Sequence, residues 1–353
     1  MRHFANTPHR NGCAARNVTQ IIYSLTLAIL LAVGGCKKQA SIDVSQPPEE
    51  TPTPVDAISS SPAINPAPAP DISSRVESVV SRIDGTIALQ RAQTICSLGA
   101  RSYATPGYRQ TLAWLRSELT RLGWHTVFQA FDSKTAVGDR TYTNLIATWP
   151  GPETRSNRVI LSAHYDSRGS KITQFPQASE GAAGCGVLLE LAERLTTAPD
   201  LASRMELVFF DGEEPTQQIS ANDGLAGSRF YLQTLTENNQ IPNYRALLNF
   251  GAIGHTGARW TIPIMTNPLL NQTIKTLAFK RKWEGQIIPL EYPVWGAHLP
   301  ALQAGLPATY LHDALYPALG TQDDTPDKLS AVSLERSAIA GLEFLKLPPL
   351  EPK

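Results

Sequence analysis

Cysteine is scarce in this chain, at four in 353 residues. So few thiols cannot build a dense disulfide framework, so the fold must rest on a hydrophobic core. An excess of either charge is also missing: Lys+Arg and Asp+Glu number 31 each, and charged residues make up only 18% of the sequence. A neutral chain lacks the counterion-releasing basic surface on which nucleic-acid affinity depends, so no nucleic-acid partner is expected. No internal repeat is visible at a period of about 20–50 residues, which argues against a solenoid or a propeller. What is present is 42% hydrophobic content, over a length that allows two domains of roughly 150 residues or one large α/β domain with appendages.

Ile21 to Val33 form an uncharged apolar run of 13 residues, preceded by Arg10 and Arg16 and followed by Gly34, Gly35 and Cys36. That is the length of a signal-peptide core and too short to cross a bilayer comfortably as a permanent helix. The small residues running into Cys36 resemble the lipobox of bacterial lipoproteins. This implies a lipoprotein-type signal over residues 1–36, a lipidated Cys36, and an exported protein anchored to a membrane of the bacterial cell envelope. An ordinary signal peptide with an incidental cysteine is the alternative. Residues 37–74 carry prolines at 47, 48, 52, 54, 62, 66, 68 and 70 among many Ser, Thr and Ala, a composition that reads as a disordered spacer. Cys96 and Cys185 would then be the remaining thiols, and their spacing does not decide whether they pair.

Residues 75–350 read as one α/β domain. Thr105-Pro106 has the form of an N-cap followed by proline at the first helical position; Leu112, Leu115, Leu119 and Leu122 share a face, and Gly123 stops the helix. Strand-like runs follow at 124–131 and 141–149. Short apolar runs of the buried-strand kind occur at 158–163, 206–210, 246–249 and 308–311, with helices expected near 181–196, 226–236, 267–281 and 331–346. This alternation predicts a mixed, largely parallel sheet covered by helices on both faces, with functional groups at the carboxyl ends of strands.

Polar residues stand at those ends. His164-Tyr165-Asp166-Ser167 follows the first buried strand, Asp211-Gly212-Glu213-Glu214 the second, and Asn249 lies within the third. Two adjacent glutamates leaving an apolar strand suit a division of labour, one ligating a metal and the other moving a proton. Glu180 precedes a run of small residues opening a helix and could reach the same place.

In order and spacing, Ala163 to Ser167, Glu180-Gly-Ala-Ala with Leu188 to Leu191, Phe209 to Glu214, Gly227-Ser-Arg229 and Asp323 to Leu329 resemble the zinc aminopeptidase and glutaminyl cyclase superfamily. The His-Tyr-Asp-Ser and Phe-Phe-Asp-Gly-Glu-Glu segments are closest to the glutaminyl-peptide cyclotransferase branch. The resemblance implies one zinc and cyclisation of the N-terminal glutamine of a peptide or protein to pyroglutamate. It makes Glu213 the proton-shuttling base and Glu214 a zinc ligand. Glu180 takes the place of an aspartate ligand and is one methylene longer. His164 matches the ligand of the second metal in two-zinc aminopeptidases, with Asp166 orienting it.

Elsewhere the sequence departs from that pattern. Asn249 stands where the family has aspartate, Gly296-Ala297 replace acidic residues before His298, and Gly320 stands where the family has its last zinc histidine, after Leu319 in place of tryptophan. His298 or His312 could substitute as donors, although nothing in the spacing requires it. Asn249, Trp295 and His298 are the expected pocket residues. Three functions follow: a glutaminyl cyclase with an altered zinc shell, a metal-dependent aminopeptidase, or a lipid-anchored binding protein that has kept the pocket and lost the chemistry.

Overall fold

The computed structural model describes residues 71–151, 156–169, 175–220 and 223–348. The signal-like run, Cys36 and the proline-rich stretch up to residue 70 lie outside them. The first element, α1 (Ile72–Val80), buries Val76, Val79 and Val80 at helical spacing, and it begins inside the stretch whose composition reads as spacer. Then comes α2 (Gly85–Ser97), capped by the Asp84 side chain on the Thr86 N–H. In α3 (Pro106–Arg121) the Thr105 hydroxyl accepts the Tyr108 N–H at 3.3 Å. Proline sits at the first turn, where its missing N–H has no intrahelical partner to lose. Gly123, at φ +87°, turns the chain out of that helix in the left-handed conformation glycine adopts without strain.

A long hairpin, β1 (His125–Thr135) and β2 (Gly138–Thr148), leads into the alternating part of the fold. In chain order this comprises β3 (Arg158–His164), α4 (Ala183–Leu195), the short α5 (Pro199–Ala202), β4 (Met205–Phe210), α6 (Ala226–Glu237) and β5 (Tyr244–Phe250). It continues with β6 (Trp260–Ile262), α7 (Pro268–Arg281), β7 (Ile287–Pro289), α8 (His298–Gln303), β8 (Ala308–Leu311) and α9 (Ala331–Glu343). The main sheet has the order β1-β2-β4-β3-β5-β8. Strands β4, β3, β5 and β8 run parallel, and the hairpin joins β4 antiparallel. The expected mixed, largely parallel sheet is therefore present.

Alternation along the strands explains the layers. Val159, Leu161 and Ala163 of β3, with Leu207 and Phe209 of β4, face a core built with α2, α4 and α9. Ile160, Val208 and Phe210 face the opposite core, with Tyr231 and Leu235 of α6 and Ala301 of α8. Successive strand residues point to opposite faces, so continuous apolar strands need helices on both sides. Cys96 and Cys185 are free thiols. Among the described residues no helix is long and apolar enough to cross a membrane.

Candidate active site

Parallel pairing places the polar ends of β3, β4, β5 and β8 along one edge of the sheet. A cavity of about 130 Å³ opens there, lined by His164, Arg168, Glu180, Glu213, Glu214, Asn249, Trp295 and Tyr310. Two of the three pocket residues expected from the sequence, Asn249 and Trp295, are in it.

Glu180 lies on a one-turn π-type segment, Ala178–Ala182, where its own backbone leaves the helical region at ψ −106°. Asp324 holds that turn: Oδ1 accepts the Ser179 N–H at 2.9 Å and Oδ2 the Glu180 N–H at 3.2 Å. Ser179 is braced again by a buried network. Its hydroxyl lies 2.9 Å from His255 Nδ1, and His255 Nε2 lies 3.2 Å from Asp313 Oδ2. The residue types are those of a nucleophilic triad, but Ser179 is wholly buried and its oxygen already accepts the N–H groups of Gly254 and His255. The network positions the turn that carries Glu180.

One ligand atom from each of His164, Glu180 and Glu214 falls within 4.8 Å of the others. Asp166 ties two of these residues together: Oδ1 is 3.3 Å from His164 Nδ1, and Oδ2 accepts the Glu214 backbone N–H at 3.0 Å. Burial disfavours a charged His164, but the Asp166 hydrogen bond and the charges of Asp166, Glu214 and Glu180 outweigh it and raise the pKa to about 9. Burial, then the Glu214 charge, pushes the Glu180 carboxyl up. These are the shifts expected of an anionic cluster that attracts a cation. An imidazole and two carboxylates also form the three-donor set that zinc accepts when a fourth position is left for water or substrate.

Glu213 stands beside this cluster, and burial raises its pKa to about 8 against the opposing hydrogen bond from the Ser228 N–H. A carboxyl poised near neutrality suits proton transfer in either direction. Tyr310 completes the wall, stacked between His298 and His312 with ring centroids 5.1 and 4.7 Å away.

One pocket expectation fails. His298 does not line the cavity; it is wholly buried against Tyr310. His312 accepts the Ala252 N–H on Nδ1 at 3.1 Å, and neither histidine joins the three-donor group. At Gly320, where the resemblance expects a histidine, there is no side chain to donate, and among the described residues the imidazole of the three-donor group is that of His164; a Cβ on Gly320 would stand 3.4 Å from Arg168 Nη1. Sequence reasoning assigned no role to Arg168, Gln177, Ser228 or Tyr310. Ser228 lies inside the quoted Gly227-Ser-Arg229 motif and could have been found from it; Gln177 has no pattern around it.

Residues 144–345 match the family described as peptidase family M28. The chain is 29% identical over 263 residues to the glutaminyl-peptide cyclotransferase-like protein of Bos taurus, covering 66% of this chain and 68% of that one. Among solved structures it is similar to the glutaminyl cyclase of an Acidobacteriales bacterium, at TM-score 0.70 and 23% identity, over 82% of this chain and 98% of that one. It is also similar to a zinc-dependent exopeptidase of Parabacteroides distasonis, at TM-score 0.66 and 18% identity, over 74% and 98% of the two chains. At these identities the structures establish the fold.

Proposed function

The chain belongs to peptidase family M28, and from that membership we propose that it acts as a glutaminyl-peptide cyclotransferase, converting the N-terminal glutamine of peptides to pyroglutamate. The observation that carries this reading is the single pocket in which Glu213 stands beside the His164, Glu180 and Glu214 donor group. Zinc held by those three residues would supply Lewis acidity toward the side-chain carbonyl of the substrate glutamine. In the reaction the α-amine nitrogen bonds to the side-chain carbonyl carbon, the bond from that carbon to the amide nitrogen breaks, and ammonia leaves. Glu213 takes the proton that the α-amine loses and returns it to the departing nitrogen. Ser228 fixes the carboxylate for both transfers. Trp295 and Tyr310 contribute aromatic faces to the pocket wall.

A second reading, a binding protein without turnover, is favoured by Asn249, Gly320 and the internal partners of Glu180 and Glu214. A two-metal aminopeptidase has less support, since the described residues contain one three-donor group. The apolar run ending at Gly35-Cys36 supports an export route and a lipid anchor at the cell envelope.

Purified protein, with and without added zinc, should be incubated with peptides beginning in Gln or Ala and the products followed by mass spectrometry. Pyroglutamyl peptide and ammonia in equal amounts, from the Gln peptide only, are expected. Release of a free N-terminal amino acid would favour the aminopeptidase, and peptide binding without product would favour the binding protein.

A further inference from the structure

Two carboxylates facing one small cavity repel each other unless something positive or hydrogen-bonding lies between them. In this chain two of its own side chains do so. Gln177 is wholly buried, and its amide nitrogen donates to Glu180 Oε2 at 2.9 Å and to Glu214 Oε1 at 2.5 Å. The same amide accepts the Arg168 backbone N–H on its oxygen. From the mouth of the pocket, the Arg168 side chain, 45% exposed, places Nε 3.1 Å from Glu214 Oε2. Both Glu214 oxygens and one Glu180 oxygen are thereby engaged.

This arrangement is built in. Gln177 holds a left-handed backbone at φ +41°, a conformation uncommon for a residue with a side chain and sustained only by its surroundings. Those surroundings are Arg101, itself wholly buried, which donates to the carbonyls of Tyr165 at 2.8 Å, Pro176 at 2.9 Å and Gln177 at 3.0 Å. Gly320 lies against the Arg168 guanidinium, where a Cβ would come to ordinary van der Waals contact at 3.4 Å from Nη1.

We propose that Gln177 and Arg168 form a latch that bridges Glu180 and Glu214 in the place of a divalent cation and competes with zinc for their oxygens. The inference rests on reading His164, Glu180 and Glu214 as the zinc donors. The lone pairs that accept the amide and guanidinium protons are those a metal needs, so zinc binds only the fraction of molecules in which the latch is open, and its apparent affinity falls by that fraction.

The test is zinc affinity by competition with a fluorescent chelator, which reads metal occupancy and so stands apart from whether the protein cyclises peptides. Gln177→Met keeps the side-chain length, removes both donors and leaves the net charge unchanged. Arg168→Lys keeps the charge and loses the Nε contact. Each variant should bind zinc at least about tenfold more tightly than wild type, as expected for a latch closed more than about nine-tenths of the time. Each should also unfold at lower temperature in chelator and recover with zinc, because zinc then stabilises only the folded form. Unchanged or weaker zinc binding in both variants would overturn the latch. So would tightening by Arg168→Ala alone, since that is the general effect of removing a positive charge near any cation site. If Gln177→Met does not fold, the comparison of Arg168→Lys with Arg168→Ala decides.

Discussion

Ser228 donates twice to Glu213, its backbone N–H to Oε1 at 2.8 Å and its hydroxyl to Oε2 at 3.0 Å. Because Ser228 lies in the first turn of α6, the carboxylate also faces the positive end of that helix. Both oxygens are thus fixed in direction, as a group that must take a proton from one nitrogen and give it to another requires. Glu213→Gln should lower the rate of cyclisation by about 10²–10⁴-fold, the usual worth of a positioned acid–base group. Ser228→Ala should cost less, since the backbone donor remains. Initial rates on a Gln peptide, with circular dichroism to verify folding, check both. A Glu213→Gln protein of undiminished rate would remove Glu213 from the mechanism.

A side chain at position 320 should cost stability. Gly320 has φ +66°, where a side chain other than glycine's costs about 1–2 kcal/mol, and a Cβ there meets the Arg168 guanidinium. Gly320→His should therefore lose about 1–2 kcal/mol in urea denaturation of metal-free protein, and Gly320→Ala a similar amount. Stability equal to wild type in both would mean that the backbone relaxes freely at this point.

Much of this was legible in the chain because it depends on local chemistry. Thr105-Pro106 fixed the start of α3, and the apolar runs at 158–163 and 206–210 marked the two central strands to within a residue. Parallel strands then bring their carboxyl ends together, which is why His164, Glu180, Glu213 and Glu214 could be grouped before any geometry was known. Strands β6 and β7 have three residues each, too few for any periodicity to register. The latch was hidden for a different reason. Arg168 and Gln177 meet Glu214 across 46 and 37 positions of sequence, and a glutamine carries no mark that its backbone will be held left-handed by a buried arginine.

Cys36 lies outside the described residues, and the motif around it makes its own prediction. Cells expressing the full chain and fed a fatty-acid analogue should label the protein, and Cys36→Ser should abolish labelling and release the protein from membranes. Unlabelled wild-type protein in the soluble cytoplasm would sink the lipid anchor.

The two histidines that flank Tyr310 predict how stability responds to acid. Burial, and then the neighbouring His312, push the His298 pKa down to about 3, and no hydrogen bond of normal geometry reaches either ring nitrogen, although the Met265 backbone is a polar neighbour that weakly opposes the shift. Burial pushes His312 to about 4, with Asp313 opposing the shift and His164 and His255 adding to it. In the unfolded chain both titrate near the ordinary value of 6.5. Below that pH the unfolded chain takes up protons that the folded protein refuses. Their stabilising effect is thus complete above pH 6.5 and is lost as pH falls toward the folded values, at about 1.4 kcal/mol per pH unit for each histidine. The buried carboxyls Glu180 and Glu213 shift in the opposite sense, so the total profile mixes the two and the comparison must be with a variant. His298→Phe keeps a flat ring against Tyr310 and cannot titrate. Between pH 6.5 and 5, wild type should lose about 2 kcal/mol relative to that variant in urea denaturation. Parallel stability curves over this range would mean that His298 takes up its proton in the folded protein as readily as in the unfolded chain.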